Sequence, residues 1–210
     1  MYRLPHAPST GRFRRKEQAY PGMRIGLFGG SFNPAHEGHA HVAETALARL
    51  NLDRVWWLVT PQNPLKSSAE TAPLAQRMAS ARAFANGPRM VVSDVESRWR
   101  TQFSIDLLRK LKKRYPGVHF VWLLGSDNLS NFHRWRRWEE IARLAPIAFV
   151  ARPGHLARAR FAKMARRFAA ARRDRLPANA RPPAWTWIAA PLDAHSSTAL
   201  RRRARTARKV

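Results

Sequence analysis

The segment GGSFNPAHEGHAH, residues 29–41, combines paired glycines, a proline and three histidines. It follows a strand-like run, MRIGLF, so Gly29 and Gly30 fall at a strand end, where the lack of side chains lets backbone N–H groups approach a ligand closely. Pro34 favours a turn, and a helix that begins just after it would direct its positive N-terminus at the same space. Together these features indicate a binding site for a phosphate or another anion.

Two of the histidines fit the same interpretation. His36 and His39 are three residues apart and would lie on the first turn of the predicted helix, where both imidazoles can donate hydrogen bonds to one anion. Two alternatives stay open: a zinc site formed by His36, His39 and His41, or histidines that only cap a turn. The spacing does not match the H-E-x-x-H motif, and the glycines match neither the dinucleotide fingerprint nor the P-loop.

The hydrophobic pattern predicts the elements that must position these residues. Short apolar runs typical of buried strands cover 23–28, 54–60, 89–95, 118–125, 146–151 and 185–190. Apolar residues between them recur at helical spacing, at Ala43, Ala46, Leu47 and Leu50, at Met78, Ala81, Phe84 and Ala85, and at Ile105, Leu108 and Leu111. This alternation predicts an α/β fold: a Rossmann-like, mostly parallel sheet with helices on both faces. Ligands of such sheets bind beyond the carboxyl ends of the strands, so we expect the chemistry after Phe28, Thr60, Asp94 and Leu124.

The chain is predicted to form a single domain over residues 23–203. Residues 1–22 carry Pro, His and Arg without periodicity and are predicted to form a flexible, basic extension, while residues 204–210 form a basic tail. Residues 153–183 are predicted to form one basic helix, whose stripe faces the core rather than a partner. That stripe consists of Phe161, Met164, Ala165 and Phe168.

Composition limits the class of protein. Of 210 residues 45% are hydrophobic, which is enough for a sizeable core, and Cys 0 rules out disulfides and thiolate chemistry. No run of about eighteen apolar residues and no secretory signal is readable, so a cytoplasmic protein is predicted. Lys+Arg 39 against Asp+Glu 13 gives a net charge of +26, which attracts phosphate-rich partners. Because the arginines are scattered, only non-specific nucleic-acid binding is expected.

Several stretches resemble a known family. GGSFNPAHEGH is similar to the G-x-F-x-P-x-H-x-G-H signature of nucleotidyltransferases that join a nucleotide to a phosphorylated small molecule. SSTALR at 196–201 resembles the S-S-T-x-[IL]-R motif of the bacterial nicotinate-nucleotide adenylyltransferase family, which serves NAD synthesis. Three more stretches resemble segments of that family: PQNPLK at 61–66, RTQFSIDLL at 100–108 and LLGSDNLSNFHRW at 123–135.

The resemblance extends from about Met23 to Arg203. Asn33 stands where the signature often has Asp, and Leu65 replaces a loop histidine. His36 separates the chain from the pantetheine-phosphate adenylyltransferases, which usually carry Thr there. The R-T-x-G-I-S-T-T motif of the glycerol-phosphate cytidylyltransferases does not occur. The nicotinate branch therefore fits best.

The resemblance implies adenylyl transfer from ATP to nicotinate mononucleotide, giving nicotinate adenine dinucleotide and pyrophosphate, with Mg²⁺ bound alongside ATP. His36 and His39 would be the catalytic residues, as donors to the phosphates. The ATP-binding residues implied are Gly29, Gly30, Ser31, Phe32, His36, His39, Asp127, Ser196, Ser197, Thr198 and Arg201. The substrate-binding residues implied are Gly30, Ser31, Lys66, Thr101, Phe103 and Trp135.

Other interpretations stay open. The chain could transfer an adenylyl or cytidylyl group to another phosphorylated small molecule, or be a basic nucleic-acid-binding protein on the same scaffold. The run 196–198 could be an ordinary N-cap, and Lys66 and Arg201 could be solvated cations. Phe103 and Trp135 could belong to the core.

Overall fold

One six-stranded sheet forms the centre of the protein, in the order β3-β2-β1-β4-β5-β6. The structure is a computed structural model and describes residues 17–61, 71–151 and 162–189. The strands are β1 Arg24–Gly30, β2 Arg54–Val59, β3 Met90–Ser93, β4 His119–Gly125, β5 Ile147–Val150 and β6 Trp185–Ile188. Every pairing between neighbouring strands is parallel. The predicted α/β fold and all six predicted strands are confirmed.

Helices connect the strands and cover both faces of the sheet. They are α1 Glu37–Arg49, α2 Leu74–Phe84, α3 Val95–Arg98, α4 Ser104–Arg114, α5 Trp138–Leu144 and α6 Lys163–Arg167. Short 3₁₀ turns occupy Ser126–Asn128, Phe132–Arg134 and Ala169–Ala171. Among the described residues, no helix is both long and apolar enough to span a membrane.

Apolar residues on both faces of the strands explain why the sequence pattern was readable. Trp56 and Trp57 are neighbours on β2, both fully buried, and lie in two different hydrophobic clusters. The first cluster contains the buried faces of α4 and α5, and the second contains those of α1 and α2. A strand buried on both faces reads as a continuous apolar run, as the sequence of β2 does.

The predicted helical stripes lie where expected. Ala43, Ala46 and Leu47 on α1 are buried, and so are Met78 and Ala81 on α2. On α4 the buried stripe consists of Ile105, Leu108 and Leu111. These faces hold the helices against the sheet, so the ends of the helices are fixed relative to the strand ends.

The prediction of one helix over 153–183 is wrong for the described part. The helix α6 ends at Arg167, and the following chain runs alongside β6, where the N–H of Arg173 donates to the carbonyl of Trp185 at 2.8 Å. Pro182 and Pro183 also have no N–H for a helix and favour its end. The predicted stripe does face the core, since Met164, Ala165 and Phe168 are buried; Phe161 lies outside the described residues.

Part of the predicted N-terminal extension contacts the domain. The carboxylate of Glu17 accepts hydrogen bonds from Ser93 and from Arg98, and its carbonyl accepts one from the Tyr115 hydroxyl at 3.1 Å. The N–H of Gly22 donates to the carbonyl of Gly117 at 2.9 Å. Contact with the domain therefore includes Glu17, which precedes the predicted boundary at Met23.

Candidate active site

The strand order creates a crevice at the carboxyl ends of β1 and β4. These two strands are neighbours in the middle of the sheet, yet β1 continues through α1 to β2 on one side and β4 leads to β5 on the other. A parallel sheet opens between such diverging connections, and this is where its ligands bind. Gly29 and Gly30 end β1, and Ser126–Asn128 follows β4, so both segments lie at this crevice.

The loop after β1 is tightly held. The carbonyl of Gly30 accepts hydrogen bonds from the N–H of Thr60 at 3.0 Å and from its hydroxyl at 2.9 Å. A Cβ at Gly30 would lie 3.0 Å from the ring of Phe32, closer than ordinary contact. Phe32 itself adopts φ 45°, and its ring packs in the core against Phe28 and Trp57. Its side chain is thus a structural element of the loop, and only its backbone can face a ligand.

The two predicted donor histidines meet at the start of α1. His36 is the N-cap residue and α1 begins at Glu37, as predicted. The imidazole rings of His36 and His39 have their centroids 3.9 Å apart. The ring of Phe32 packs edge-on against His39 with centroids 5.0 Å apart. His36 is buried and His39 half-buried, so aromatic packing holds the pair beside the helix N-terminus.

The zinc alternative finds no support in the described residues, where no group of three or more His, Asp and Glu side chains could hold a metal ion. His41 lies two residues beyond His39, which on a helix places it on a different face. The anion-site interpretation requires the two imidazoles to act as hydrogen-bonding groups, and this role stays a prediction. Asp127 lies at the same sheet edge, half-buried in the 3₁₀ turn that follows β4.

Two predicted substrate-binding residues line a pocket of about 440 Å³ beside the N-terminus of α4. Thr101 and Phe103 form part of its wall, together with Arg100, Gln102, Asp106, Arg109, Lys110 and Arg136. The guanidinium of Arg136 lies 4.6 Å from the centroid of the Phe103 ring. Trp135 precedes Arg136 and packs against Trp122 and Phe132. The cations of this wall suit an anionic substrate group.

Thr101 is positioned by Glu96. The carbonyl of Glu96 accepts hydrogen bonds from the N–H of Thr101 at 2.9 Å and from its hydroxyl at 3.3 Å. The Glu96 side chain is itself buried, with 3% exposed, and burial raises the pKa of its carboxyl to about 8. No local sequence pattern identifies Glu96, because its burial depends on how α3 packs against β2.

The sequence analysis also missed Arg77 on α2. It is buried, and among the described residues its guanidinium donates to backbone carbonyls of the loops after β1 and β2 and of Ala72, just before α2. Its one sequence signal is an arginine beside the apolar stripe of α2. Lys66, Ser196, Ser197, Thr198 and Arg201 lie outside the described residues, so their assignments stay predictions.

Comparison with known proteins identifies the family of the chain. Residues 27–203 match the family described as cytidylyltransferase-like, so the chain belongs to this class of nucleotidyltransferases. It is 58% identical over 185 residues to a probable nicotinate-nucleotide adenylyltransferase of Caulobacter sp. (strain K31), covering 86% of this chain and 98% of that protein. A protein of the same name from Methylorubrum extorquens (strain PA1) is 54% identical, with coverage of 86% and 100%. The chain is a member of the nicotinate-nucleotide adenylyltransferase family.

A solved structure supports the fold. Plasmodium falciparum nicotinic acid mononucleotide adenylyltransferase complexed with NaAD superposes with a TM-score of 0.65, covering 86% of this chain and 83% of that chain. The two sequences are 20% identical, so this likeness concerns the fold.

Proposed function

We propose that the protein transfers the adenylyl group of ATP to nicotinate mononucleotide, releasing pyrophosphate. A phosphate oxygen of the mononucleotide attacks the α-phosphorus of ATP, and the bond from that phosphorus to the bridging oxygen of the β-phosphate breaks. The new phosphate–phosphate bond completes nicotinate adenine dinucleotide. The nucleophile is already ionised near neutral pH, because the second pKa of a phosphate monoester is about 6, so no general base is needed.

Catalysis then rests on positioning and on stabilising charge. His36 and His39 would donate hydrogen bonds to the phosphates, with His39 closest to the α-phosphate. The backbone at Gly30 and Ser31 would support the incoming phosphate. The observation that carries this proposal is the imidazole pair, 3.9 Å between ring centroids, set at the N-terminus of α1 beside the glycine loop.

The remaining roles follow from position and resemblance. Thr101, Phe103 and Trp135 would surround the nicotinate ring, and the cationic wall that includes Arg136 would favour its carboxylate. Asp127 would contact the ribose or phosphates of ATP. Lys66, Arg201 and the run 196–198 would hold the outer phosphates. A cytoplasmic setting stays a prediction.

Mg²⁺ is expected to come with ATP. We expect this cation to be held mainly by phosphate oxygens and water, because Mg²⁺ keeps several of its waters and commonly binds through substrate phosphates. When bound, Mg²⁺ neutralises charge on the phosphates. The protein residues would then hold the α-phosphate against the attacking oxygen.

The first experiment is pyrophosphate release by the purified protein with Mg-ATP and one of three acceptors: nicotinate mononucleotide, its amide analogue or phosphopantetheine. Strong preference for the nicotinate compound is expected. Faster release with another acceptor would keep the phosphate site and overturn the substrate. No release with any acceptor would contradict the proposed function.

The histidine roles have a matched control on the same helix. We expect His39→Ala to lower kcat by about 10² or more and to change the Kd of ATP only a few fold, since the lost donor acts mainly on the charge that develops in the transition state. His41→Ala removes the same kind of side chain two residues away and should keep kcat within about threefold. Near-normal turnover of His39→Ala would contradict the role of His39.

A further inference from the structure

Arg77 lies beneath the glycine loop, and its acceptors within the described part of the chain are all backbone carbonyls. Its Nη1 donates to the carbonyls of Ser31 at 2.9 Å and Thr60 at 2.7 Å, and its Nη2 to that of Pro61 at 2.7 Å. Its Nε donates to the carbonyl of Ala72 at 2.8 Å. The side chain, 2% exposed, thus ties the loop after β1 to the loop after β2 and to the start of α2.

These bonds set the direction of the loop amides. A trans peptide is planar, so its N–H points opposite to its carbonyl. The carbonyl of Ser31 faces Arg77, and the N–H of Phe32 in the same peptide therefore points away from it. The carbonyl of Gly30 is held by Thr60 in the same manner, which directs the N–H of Ser31. Consecutive amides thus face away from β2 and α2.

Arg77 also places positive charge behind the loop. No carboxylate pairs with it among the described residues, and the acceptors named above are uncharged. Burial lowers the pKa of Arg77, but an arginine side chain stays protonated in proteins. A buried, unneutralised charge acts more strongly on a nearby anion than an exposed one, because the protein interior screens less than water.

Helix α2 and Ala72, just before it, contact the loop at two further points. The hydroxyl of Ser80 accepts a hydrogen bond from the N–H of Ala35 at 2.9 Å. The side-chain oxygen of Asn33 accepts one from the N–H of Ala72 at 3.2 Å. Arg77 is the only one of these α2 contacts that carries charge.

We propose that Arg77 is a positioning residue of the active site: through the Ser31 carbonyl it orients the Phe32 N–H of the glycine loop towards the substrate phosphates, and it supplies buried positive charge behind the loop. The proposal rests on the proposed function for the identity of the phosphates. Arg77 acts indirectly, through the backbone that it holds.

Arg24 offers a matched control within the same chain. It too is buried, and its guanidinium donates to the carbonyls of Leu50 at 2.6 Å, Leu176 at 2.9 Å and Pro177 at 3.0 Å. It stands at the first residue of β1, whereas the glycine loop follows the last, and a seven-residue strand separates them by roughly 20 Å. Arg24 thus makes the same kind of hydrogen bonds at the amino end of β1, the end opposite to the glycine loop.

The test compares Arg77→Ala, Arg77→Lys and Arg24→Ala in the full chain. Each is measured for Tm, for kcat and KM with ATP and nicotinate mononucleotide, and for the Kd of inorganic pyrophosphate. Both alanine variants should have a lower Tm than the wild type. Arg77→Ala should lower kcat/KM by about 10- to 100-fold, since a misplaced site loses about that much, and weaken pyrophosphate binding at least fivefold. Arg24→Ala should stay within about threefold in both, and Arg77→Lys, which keeps the charge, should lie between.

Hydrogen exchange supplies a measure that needs no turnover. In the free protein, Arg77→Lys should speed amide exchange in a peptide covering residues 29–35 while leaving β4 unchanged. If Arg77→Ala does not fold, the exchange of the 29–35 peptide in Arg77→Lys still tests whether Arg77 orders the glycine loop. Unchanged exchange in the loop, or equal losses of kcat/KM in Arg24→Ala and Arg77→Ala, would overturn the proposal. Absence of turnover in the wild type would contradict the proposed function alone, since pyrophosphate binding and exchange would still test Arg77.

Discussion

Replacing Glu96 with glutamine should change how the stability of the protein depends on pH. Its carboxyl is buried with 3% exposed, and burial raises its pKa from 4.5 to about 8 in the folded protein. Glutamine has nearly the same shape but no charge. The variant therefore removes the cost of ionising a buried carboxyl while leaving the surroundings of Thr101 largely intact.

The sign follows from proton binding. Between pH 4.5 and about 8 the folded protein keeps the proton on Glu96 while the unfolded chain loses it, so the folded state binds more protons. The free energy of unfolding must then fall as pH rises through this window. The stabilisation by neutral Glu96 is complete below pH 4.5 and lost above about 8. At 1.36 kcal/mol per pKa unit the whole loss is roughly 5 kcal/mol, of which roughly 4 kcal/mol falls between pH 5 and 8.5.

Urea unfolding of wild type and Glu96→Gln at several pH values from 5 to 8.5 measures this difference. Because the two proteins share every other titrating group, subtracting their unfolding free energies isolates Glu96. Relative to wild type, Glu96→Gln should gain roughly 4 kcal/mol across the range. Glu44→Gln, which makes the same substitution at an exposed glutamate, provides the control.

A flat difference would refute the reasoning. If the gap between Glu96→Gln and wild type changes by less than about 0.5 kcal/mol from pH 5 to 8.5, the carboxyl titrates alike in the folded and unfolded states. Water would then reach Glu96, and its burial beneath the loop that carries Thr101 would be wrong.

Two further changes test the packing around the site. Gly30→Ala would put a Cβ 3.0 Å from the Phe32 ring and should lower kcat/KM roughly tenfold or more by displacing the loop. The Cβ of Gly29→Ala would meet Trp122 at 3.6 Å, an ordinary contact, so this variant should lower kcat/KM less in the same steady-state assay. Equal losses of kcat/KM in the two variants would contradict the close approach of Phe32 to Gly30. Leu108→Ala, at a fully buried position on α4, should cost about 2–5 kcal/mol in urea unfolding with kcat near normal, and a cost under about 1 kcal/mol would contradict its burial.

Much of the fold could be predicted because its strands are buried on both faces. The run RVWWLV of β2 reads as a continuous apolar segment for that reason, and the alternation of such runs with helical stripes determines the fold class. The start of α1 was equally readable, since Pro34 and the polar residues after it mark a helix boundary. What made these elements predictable is that their signals lie within a few consecutive residues.

Other features depend on contacts between distant residues. The residues of α6 and those just after it have the apolar spacing of a helix, yet beyond Ala171 the backbone pairs with β6 at Arg172. The local sequence pattern does not show this pairing, because β6 is distant in the sequence. Arg77 and Glu96 are charged types that are usually exposed. Their burial follows from the way α2 and α3 pack against the ends of β2 and β3, which no spacing rule encodes.

On the proposed role of Arg77, position in the sheet rather than residue type separates the functions of the buried arginines Arg24 and Arg77. Arg24 and Arg77 both use a guanidinium to hold carbonyls of neighbouring segments, and burial lowers the pKa of both. Arg24 lies at the amino end of β1, away from the crevice of a parallel sheet, so its loss should reach the reaction only through stability. Arg77 lies at the carboxyl end, where the Ser31 carbonyl that it holds shares a peptide with the N–H of Phe32, which points away from Arg77. A change of the same size in backbone order should therefore alter turnover at one end of β1 and Tm alone at the other.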